Sequence, residues 1–131
     1  MIRTFAVVSA AALLLGATAV VADAQPAPAT CEYDLSPPSV VAVSGTNVVT
    51  ATVTPRACDG AVTFQTVACI QMAGGTDAGI CARGAGILPA QVFFQPYRPG
   101  TVYTSTGRGC ASAGNPPQTS CQESGPLTAT L

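Results

Sequence analysis

Six cysteines constrain the fold of this chain more than any other feature of its sequence. All of them follow an apolar N-terminal stretch, and the chain has 131 residues in total. An even number of cysteines in a short exported chain predicts a disulfide framework, whereas a cytosolic chain would keep its thiols reduced. The cysteines are Cys31, Cys58, Cys69, Cys81, Cys110 and Cys121.

The N-terminus has the pattern of a secretory signal peptide. Arg3 supplies a positive start, residues 5–22 form an apolar run, and residues 22–24 (ADA) place small side chains at the −3 and −1 positions of a cleavage site. We therefore predict a signal peptide over residues 1–24, cleaved before Gln25. The mature protein is then expected in the extracellular space or the cell wall.

Two alternatives to this cleavage stay open at the level of sequence. Cleavage after Ala22 is the first, and a retained membrane anchor is the second, because the apolar run is just long enough to span a bilayer. Residues 25–30 (QPAPAT) favour removal of the signal, since alternating proline and alanine form a spacer that continues neither a helix nor a strand. Residues 31–131 then form one domain.

Composition excludes several classes of function. Charged residues make up 8% of the chain and hydrophobic residues 48%, so the chain is expected to fold. Five arginines, no lysine and a net charge of −1 disfavour nucleic acid and membrane-surface partners. The absence of histidine removes the commonest general base and metal ligand. We expect no catalytic residues, no cofactor and no metal site, and therefore no enzyme.

One pair of carboxylates has a spacing that could place two oxygens on a calcium ion. Glu32 and Asp34 are two residues apart and would share one face of an extended strand. A calcium ion needs six or more oxygen ligands, so the pair alone is expected to be a solvated surface feature.

The rest of the chain has the pattern of strands and turns. Residues 48–56 (VVTATVTPR) alternate cleanly, with Val49, Ala51 and Val53 on one face and threonines on the other. About seven such segments predict an antiparallel, immunoglobulin-like β-sandwich, with a small closed barrel as the alternative. The candidate strands are 38–44, 48–56, 61–72, 80–81, 87–88, 91–95, 102–106 and 126–131.

Glycine-containing turns predict how these strands are joined. We expect hairpins at residues 45–46, at Asp59-Gly60 and at 97–100, and a long loop over 111–120. In the strand 61–72 the residues predicted to face inward are Val62, Phe64, Ala68 and Ile70.

Turn positions also narrow the disulfide pairing from 15 possibilities. A hairpin at 45–46 brings Cys31 within two residues of Cys58. A hairpin at Asp59-Gly60 places Cys69 opposite Thr50, away from Cys58. The predicted pairing is sequential: Cys31–Cys58, Cys69–Cys81 and Cys110–Cys121.

Five residues around the predicted hairpin at 97–100 form a candidate interaction patch. Phe93 and Phe94 are adjacent on a strand and cannot both enter one core, while aromatic residues and arginine are frequent interface anchors. The alternative is that the sheet twist buries both phenylalanines. The patch consists of Phe93, Phe94, Tyr97, Arg98 and Tyr103.

The pattern resembles two known groups of β-sandwiches. A secreted sandwich in which Cys69–Cys81 and Cys110–Cys121 close loops is similar to the chromoprotein apoproteins of the neocarzinostatin family; the extra pair Cys31–Cys58 departs from that pattern. The segment 100–103 (GTVY) resembles the tyrosine corner of immunoglobulin-like domains, in which a tyrosine bonds back to the backbone. The lysine-free composition also resembles small exported actinobacterial proteins.

These features favour a secreted, non-enzymatic module that binds a protein or glycan. Two alternatives remain. The family resemblance implies a small-molecule carrier or sequestering protein, and the loop 73–80 between Cys69 and Cys81 suggests a protease inhibitor.

Overall fold

The structure, a computed structural model, describes residues 30–75 and 79–131. These residues form eight strands in two antiparallel sheets, so the predicted all-β, two-sheet fold is confirmed. The predicted signal peptide, and all of the spacer except Thr30, lie outside the described residues. Within the described part of the chain no helix has the length and apolarity to cross a membrane. The strands are β1 (Thr30–Leu35), β2 (Ser39–Val43), β3 (Thr46–Asp59), β4 (Val62–Met72), β5 (Ile80–Ala85), β6 (Ala90–Phe94), β7 (Val102–Ala113) and β8 (Gln118–Thr130).

The first sheet is built around β3, which has neighbours on both edges. Thr50 pairs with Ser39 of β2 on one edge and with Phe93 of β6 on the other. Further along, β1 occupies the same edge of β3 as β2 does. The break between β1 and β2 falls at Ser36–Pro38, where two prolines lack the N–H that a ladder requires. Residues 30–35, which are absent from the predicted strands, thus form β1 and continue the β2 edge of β3 beyond this break.

The first hairpin turns one residue earlier than predicted. Ser44 and Gly45 both have positive φ, 52° and 79°, and Val43 pairs with Thr46 across the turn. Two central residues with positive φ match the twist of antiparallel strands. The shift changes the β2–β3 register by two. In the separate β1–β3 ladder, which has a further register shift between Cys31 and Tyr33, Cys31 lies directly opposite Cys58.

The other two predicted hairpins are wrong, because each of these turns carries the chain from one sheet to the other. Asp59-Gly60 leads from β3 to β4, and residues 95–101 lead from β6 to β7. β3 pairs with β6 over Val49–Val53 on the edge opposite β1 and β2, and β4 pairs with β5 and β7 instead of with β3. The second sheet therefore has the order β5-β4-β7-β8.

The core lies between the sheets and follows the alternation of β3. Val49, Ala51 and Val53 are fully buried, as predicted, and Ala68 and Ile70 of β4 face them. Val62 and Phe64 are exposed, so their predicted inward orientation is wrong. A register shift between Thr63 and Gln65 reverses the alternation at the start of β4, and Thr63 is buried there instead.

Two further segments differ from the sequence prediction. Residues 87–88 lie in an exposed turn rather than in a brief strand. The predicted loop 111–120 is mostly strand, because the β7–β8 ladder continues to the pair Ala113 and Gln118. Only residues 114–117 form the turn.

Tyr103 joins the core to the connection between the sheets. Its hydroxyl accepts a hydrogen bond from the Arg98 backbone N–H at 2.9 Å and donates one to the Pro96 carbonyl at 3.3 Å. Its ring meets the Phe94 ring edge to face, with centroids 5.8 Å apart. The predicted bond from this tyrosine back to the preceding backbone is therefore present.

Removing this hydroxyl tests its contribution to stability. We expect Tyr103→Phe to lower the free energy of unfolding by about 1–3 kcal/mol, because it leaves the partly buried Arg98 N–H unpaired. Tyr97→Phe is the matched control, since within the described residues the Tyr97 hydroxyl makes no hydrogen bond; it should change stability by less than about 0.5 kcal/mol. Urea unfolding of both variants measures the difference, and equal midpoints would contradict this role for Tyr103.

A second prediction concerns the contact of Tyr33 with β7. A Cβ at Gly109 would overlap the Tyr33 ring, whose hydroxyl is 3.1 Å from the Thr63 hydroxyl. We expect Gly109→Ala to destabilise by about 1–3 kcal/mol through overpacking. In a Tyr33→Ala background the same substitution should cost less, because the overlap is gone. Equal costs in both backgrounds, measured by denaturant unfolding, would rule out this contact as the cause.

Candidate functional site

Three disulfides join residues that lie directly opposite each other on neighbouring strands. The pairs are Cys31–Cys58, Cys69–Cys81 and Cys110–Cys121, so the predicted sequential pairing is confirmed. Their Cα atoms are 4.0–4.1 Å apart, which corresponds to the closer, non-hydrogen-bonded type of antiparallel pair. Three disulfides are typical of an oxidising, extracellular environment.

The three disulfides have different positions in the sandwich. Cys31 is buried and packs with Ala61 and Ala111, so its disulfide covers one end of the core. Cys69–Cys81 ties β4 to β5, and Cys110–Cys121 ties β7 to β8. The strand alternation directs both of these toward the outer face of the second sheet, away from the core.

A single row of side chains crosses that outer face between the two disulfides. Arg83 of β5 pairs with Val67 of β4, Val67 pairs with Arg108 of β7, and Arg108 pairs with Glu123 of β8. We call these four residues, with the two flanking disulfides, the arginine face. Arg83 and Arg108 are separated by one strand, which sets their Cα atoms about 9–10 Å apart.

All four row residues line a surface cavity of about 470 Å³. Of the two flanking disulfides, Cys69 alone contributes to its walls. The remaining lining residues are small or weakly polar and come from β4, β7 and the bend of β8. They are Cys69, Thr106, Gly107, Ser124, Gly125 and Pro126.

The arginine face has two positive charges and one negative charge, and Glu123 lies directly opposite Arg108. Within the part of the chain that the structure describes, Arg83, Arg108 and Glu123 make no ion-pair contact. Arg56, by contrast, meets Asp34 with two N–O distances of 3.2 and 3.3 Å on the first sheet. The face therefore presents two free guanidinium groups and one carboxylate, with Val67 between the arginines.

A second cavity, of about 580 Å³, lies at the tip of the β7–β8 hairpin. It is lined by Gly60 and by residues on both sides of the turn at 114–117. No charged side chain lines it. The cavity thus offers backbone and neutral polar groups only, and we do not place the functional site there.

The predicted aromatic patch is not one surface. Phe94 and Tyr103 belong to the core, and Tyr97 packs against it. Phe93 is 46% exposed on the outer face of the first sheet, and Arg98 is exposed at the crossing to the second sheet. Only Phe93 and Arg98 are thus readily available to a partner, and the alternative in which both phenylalanines are buried is wrong.

The sequence analysis did not predict the arginine row, although the positions of the cysteines indicate where it lies. Each member of the row lies two residues from a cysteine of the two flanking disulfides. On a strand, residues two apart share a face. Once the pairing Cys69–Cys81 and Cys110–Cys121 was assumed, the row could have been read from the sequence.

Two other sites considered from the sequence are the carboxylate pair Glu32 and Asp34 and the loop 73–80. In residues 30–75 and 79–131 no three cysteine, aspartate or glutamate side chains are grouped to hold a metal ion, and Asp34 is paired with Arg56. Residues 76–78 of the predicted inhibitory loop 73–80 lie outside the described residues, so no site is built on it.

Comparison of the chain with protein-family models, with curated proteins and with solved structures gives no match. The geometry of the site therefore carries the functional argument alone.

Proposed function

We propose that this chain is an exported, non-enzymatic binding module, and that it binds a small acidic ligand on the arginine face. Residues 1–24 would direct its export to the extracellular space or cell envelope. The observation that carries the proposal is the pair Arg83 and Arg108, both unpaired and both lining one cavity. A volume of about 470 Å³ is in the range of pockets for small molecules.

The chemistry of the ligand follows from the row. Guanidinium groups bind carboxylate and phosphate oxygens through paired N–H donors. Val67 and the Cys69 disulfide offer an apolar floor between and beside the arginines. A compact molecule with an apolar body and one acidic group complements these features, whereas a second acidic group near Glu123 would be repelled. This favours the small-molecule alternative among the binding functions considered from sequence.

An immunoglobulin-like arrangement is part of the same proposal. The strand orders β1/β2-β3-β6 and β5-β4-β7-β8 support it, as does the bonding of Tyr103 to Pro96 and Arg98. In such sandwiches the sheet faces and end loops carry binding sites, but the fold alone does not specify a ligand.

A second candidate function is binding of a protein or glycan through the outer face of the first sheet. Phe93 is 46% exposed there, and Val43 on the same face is 43% exposed. Exposed aromatic residues are frequent anchors for such partners. This surface has no cavity among those described above, so the arginine face remains the first candidate.

Native mass spectrometry of the protein purified from its own host tests the first candidate. We expect a bound small mass on the wild type, and at least about tenfold lower occupancy on the double variant Arg83→Gln/Arg108→Gln, because charge-assisted hydrogen bonds are lost. Arg98→Gln is the control, since it removes an exposed arginine that lies at the crossing between the sheets and does not line the cavity. An empty wild-type protein, or a mass retained by the double variant, would refute the acidic-ligand proposal.

A test variant and a matched control variant distinguish whether the first sheet binds a protein or glycan. Phe93→Ala should abolish binding of the purified protein to the host's cell-wall fraction if the first sheet carries the function. Phe64→Ala is the control, because Phe64 is exposed to a similar degree on the second sheet. Unchanged binding by Phe93→Ala in a sedimentation assay would remove this candidate.

A further inference from the structure

Strand β8 is a long edge strand with one side unpaired. In the described part of the chain it pairs with β7 alone, along nearly its whole length. Eleven of its 13 residues are exposed. An unpaired strand edge presents free N–H and C=O groups to any second strand.

The disulfide identifies which backbone groups of β8 are free. Cys110 and Cys121 form a non-hydrogen-bonded pair, with Cα atoms 4.1 Å apart. Because the two pair types alternate, the N–H and C=O groups of Thr119, Cys121 and Glu123 point away from β7. These three residues form a ladder of donors and acceptors that lacks a partner within the described residues.

This edge lacks the features that normally block strand addition. The segment 118–124 contains no proline and no lysine, and its one charged residue is Glu123. Pro126 and the register shift opposite Thr106 come only after it. The other edges of the sandwich are less suitable: β5 and β6 have six and five residues, and β1 carries Glu32 and Asp34 beside the proline break.

We propose that the occupant of this edge is β8 of a second copy of this chain, added antiparallel about a two-fold axis at Cys121. The register then places Thr119 opposite Glu123 of the second copy, and Glu123 opposite the second copy's Thr119. No like charges face each other in this register, and the net charge of −1 gives little repulsion between copies. The chain's own spacer 25–30 does not fit the edge, since Pro26 and Pro28 lack N–H groups.

The result is one continuous sheet of eight strands that carries two arginine faces. Isologous pairing of this kind uses the same surface on both subunits and closes on itself, so it stops at a dimer. The inference is independent of the acidic ligand, because it rests on the backbone of β8 alone.

Sedimentation equilibrium of the mature protein over a range of concentrations, with two charge variants at Thr119, tests the proposal. Thr119→Glu places a carboxylate opposite Glu123 of the second copy twice per dimer, and should weaken association about two- to thirtyfold. Thr119→Lys places an ammonium group there and should keep or strengthen association by a similar factor. Both substitutions are at an exposed position, so circular dichroism should match the wild type, and so should the unfolding midpoint at concentrations where the protein is monomeric.

Each outcome of the sedimentation experiment either supports or overturns the β8 dimer. A concentration-dependent wild-type dimer, weakened by Thr119→Glu and not by Thr119→Lys, supports the proposal. A wild-type protein that stays monomeric up to its solubility limit overturns it and leaves the edge to a strand of another protein. A dimer on which the two variants act equally also overturns it, because association would then use another surface or register.

Discussion

The structure depends on the cross-strand disulfides, because each one fixes which residues lie opposite each other. A slip of one residue in an antiparallel pair turns every side chain of the strand to the other face. Cys69–Cys81 and Cys110–Cys121 prevent such a slip on either side of the β4–β7 pair. The disulfides therefore align Arg83 with Val67 and Arg108 with Glu123, and the β4–β7 ladder joins these two pairs into one row on the face opposite Ala68 and Ile70.

The disulfides matter more because the core is made of small side chains. Valines and alanines predominate in it, and Phe94 and Tyr103 are its aromatic members. Small residues bury little apolar area per position, so a domain of this size gains proportionally more from cross-links. Tyr33 compensates in part, since its ring lies against β7 where Gly109 leaves room for it.

Local sequence patterns were good predictors of features that depend on residues close together in the chain. The alternation of Val49, Ala51 and Val53 gave the buried face of β3, and the adjacent Phe93 and Phe94 divided between surface and core. The disulfide pairing was inferred from two turns, and neither was correct in detail. The turn at Ser44 and Gly45 lies one residue earlier than expected, and Asp59-Gly60 is not a hairpin, yet the three inferred pairs are present.

What the sequence could not supply was the sheet to which each strand belongs. Asp59-Gly60 has the composition of a hairpin turn, but it serves equally well to cross between sheets, and the long-range pairing of β4 with β5 and β7 decides between the two. The bulge near Thr63 has no clear signature either, because Val62 and Phe64 look like core residues. The arginine row needed the pairing first, since its four members are far apart in the chain and meet only across the β4, β5, β7 and β8 ladders.

The most direct test of the account is a non-reducing peptide map of the mature protein, cleaved after arginine and before aspartate under denaturing conditions. These cleavages separate all the cysteines except Cys110 and Cys121, which share the peptide 109–131. We expect the peptide with Cys31 to be linked to 57–58, the peptide 59–76 to be linked to 77–83, and the peptide 109–131 to carry an internal disulfide. A link between the peptides of Cys58 and Cys69, or between 109–131 and any other peptide, would contradict the register on which the sandwich and its arginine face depend.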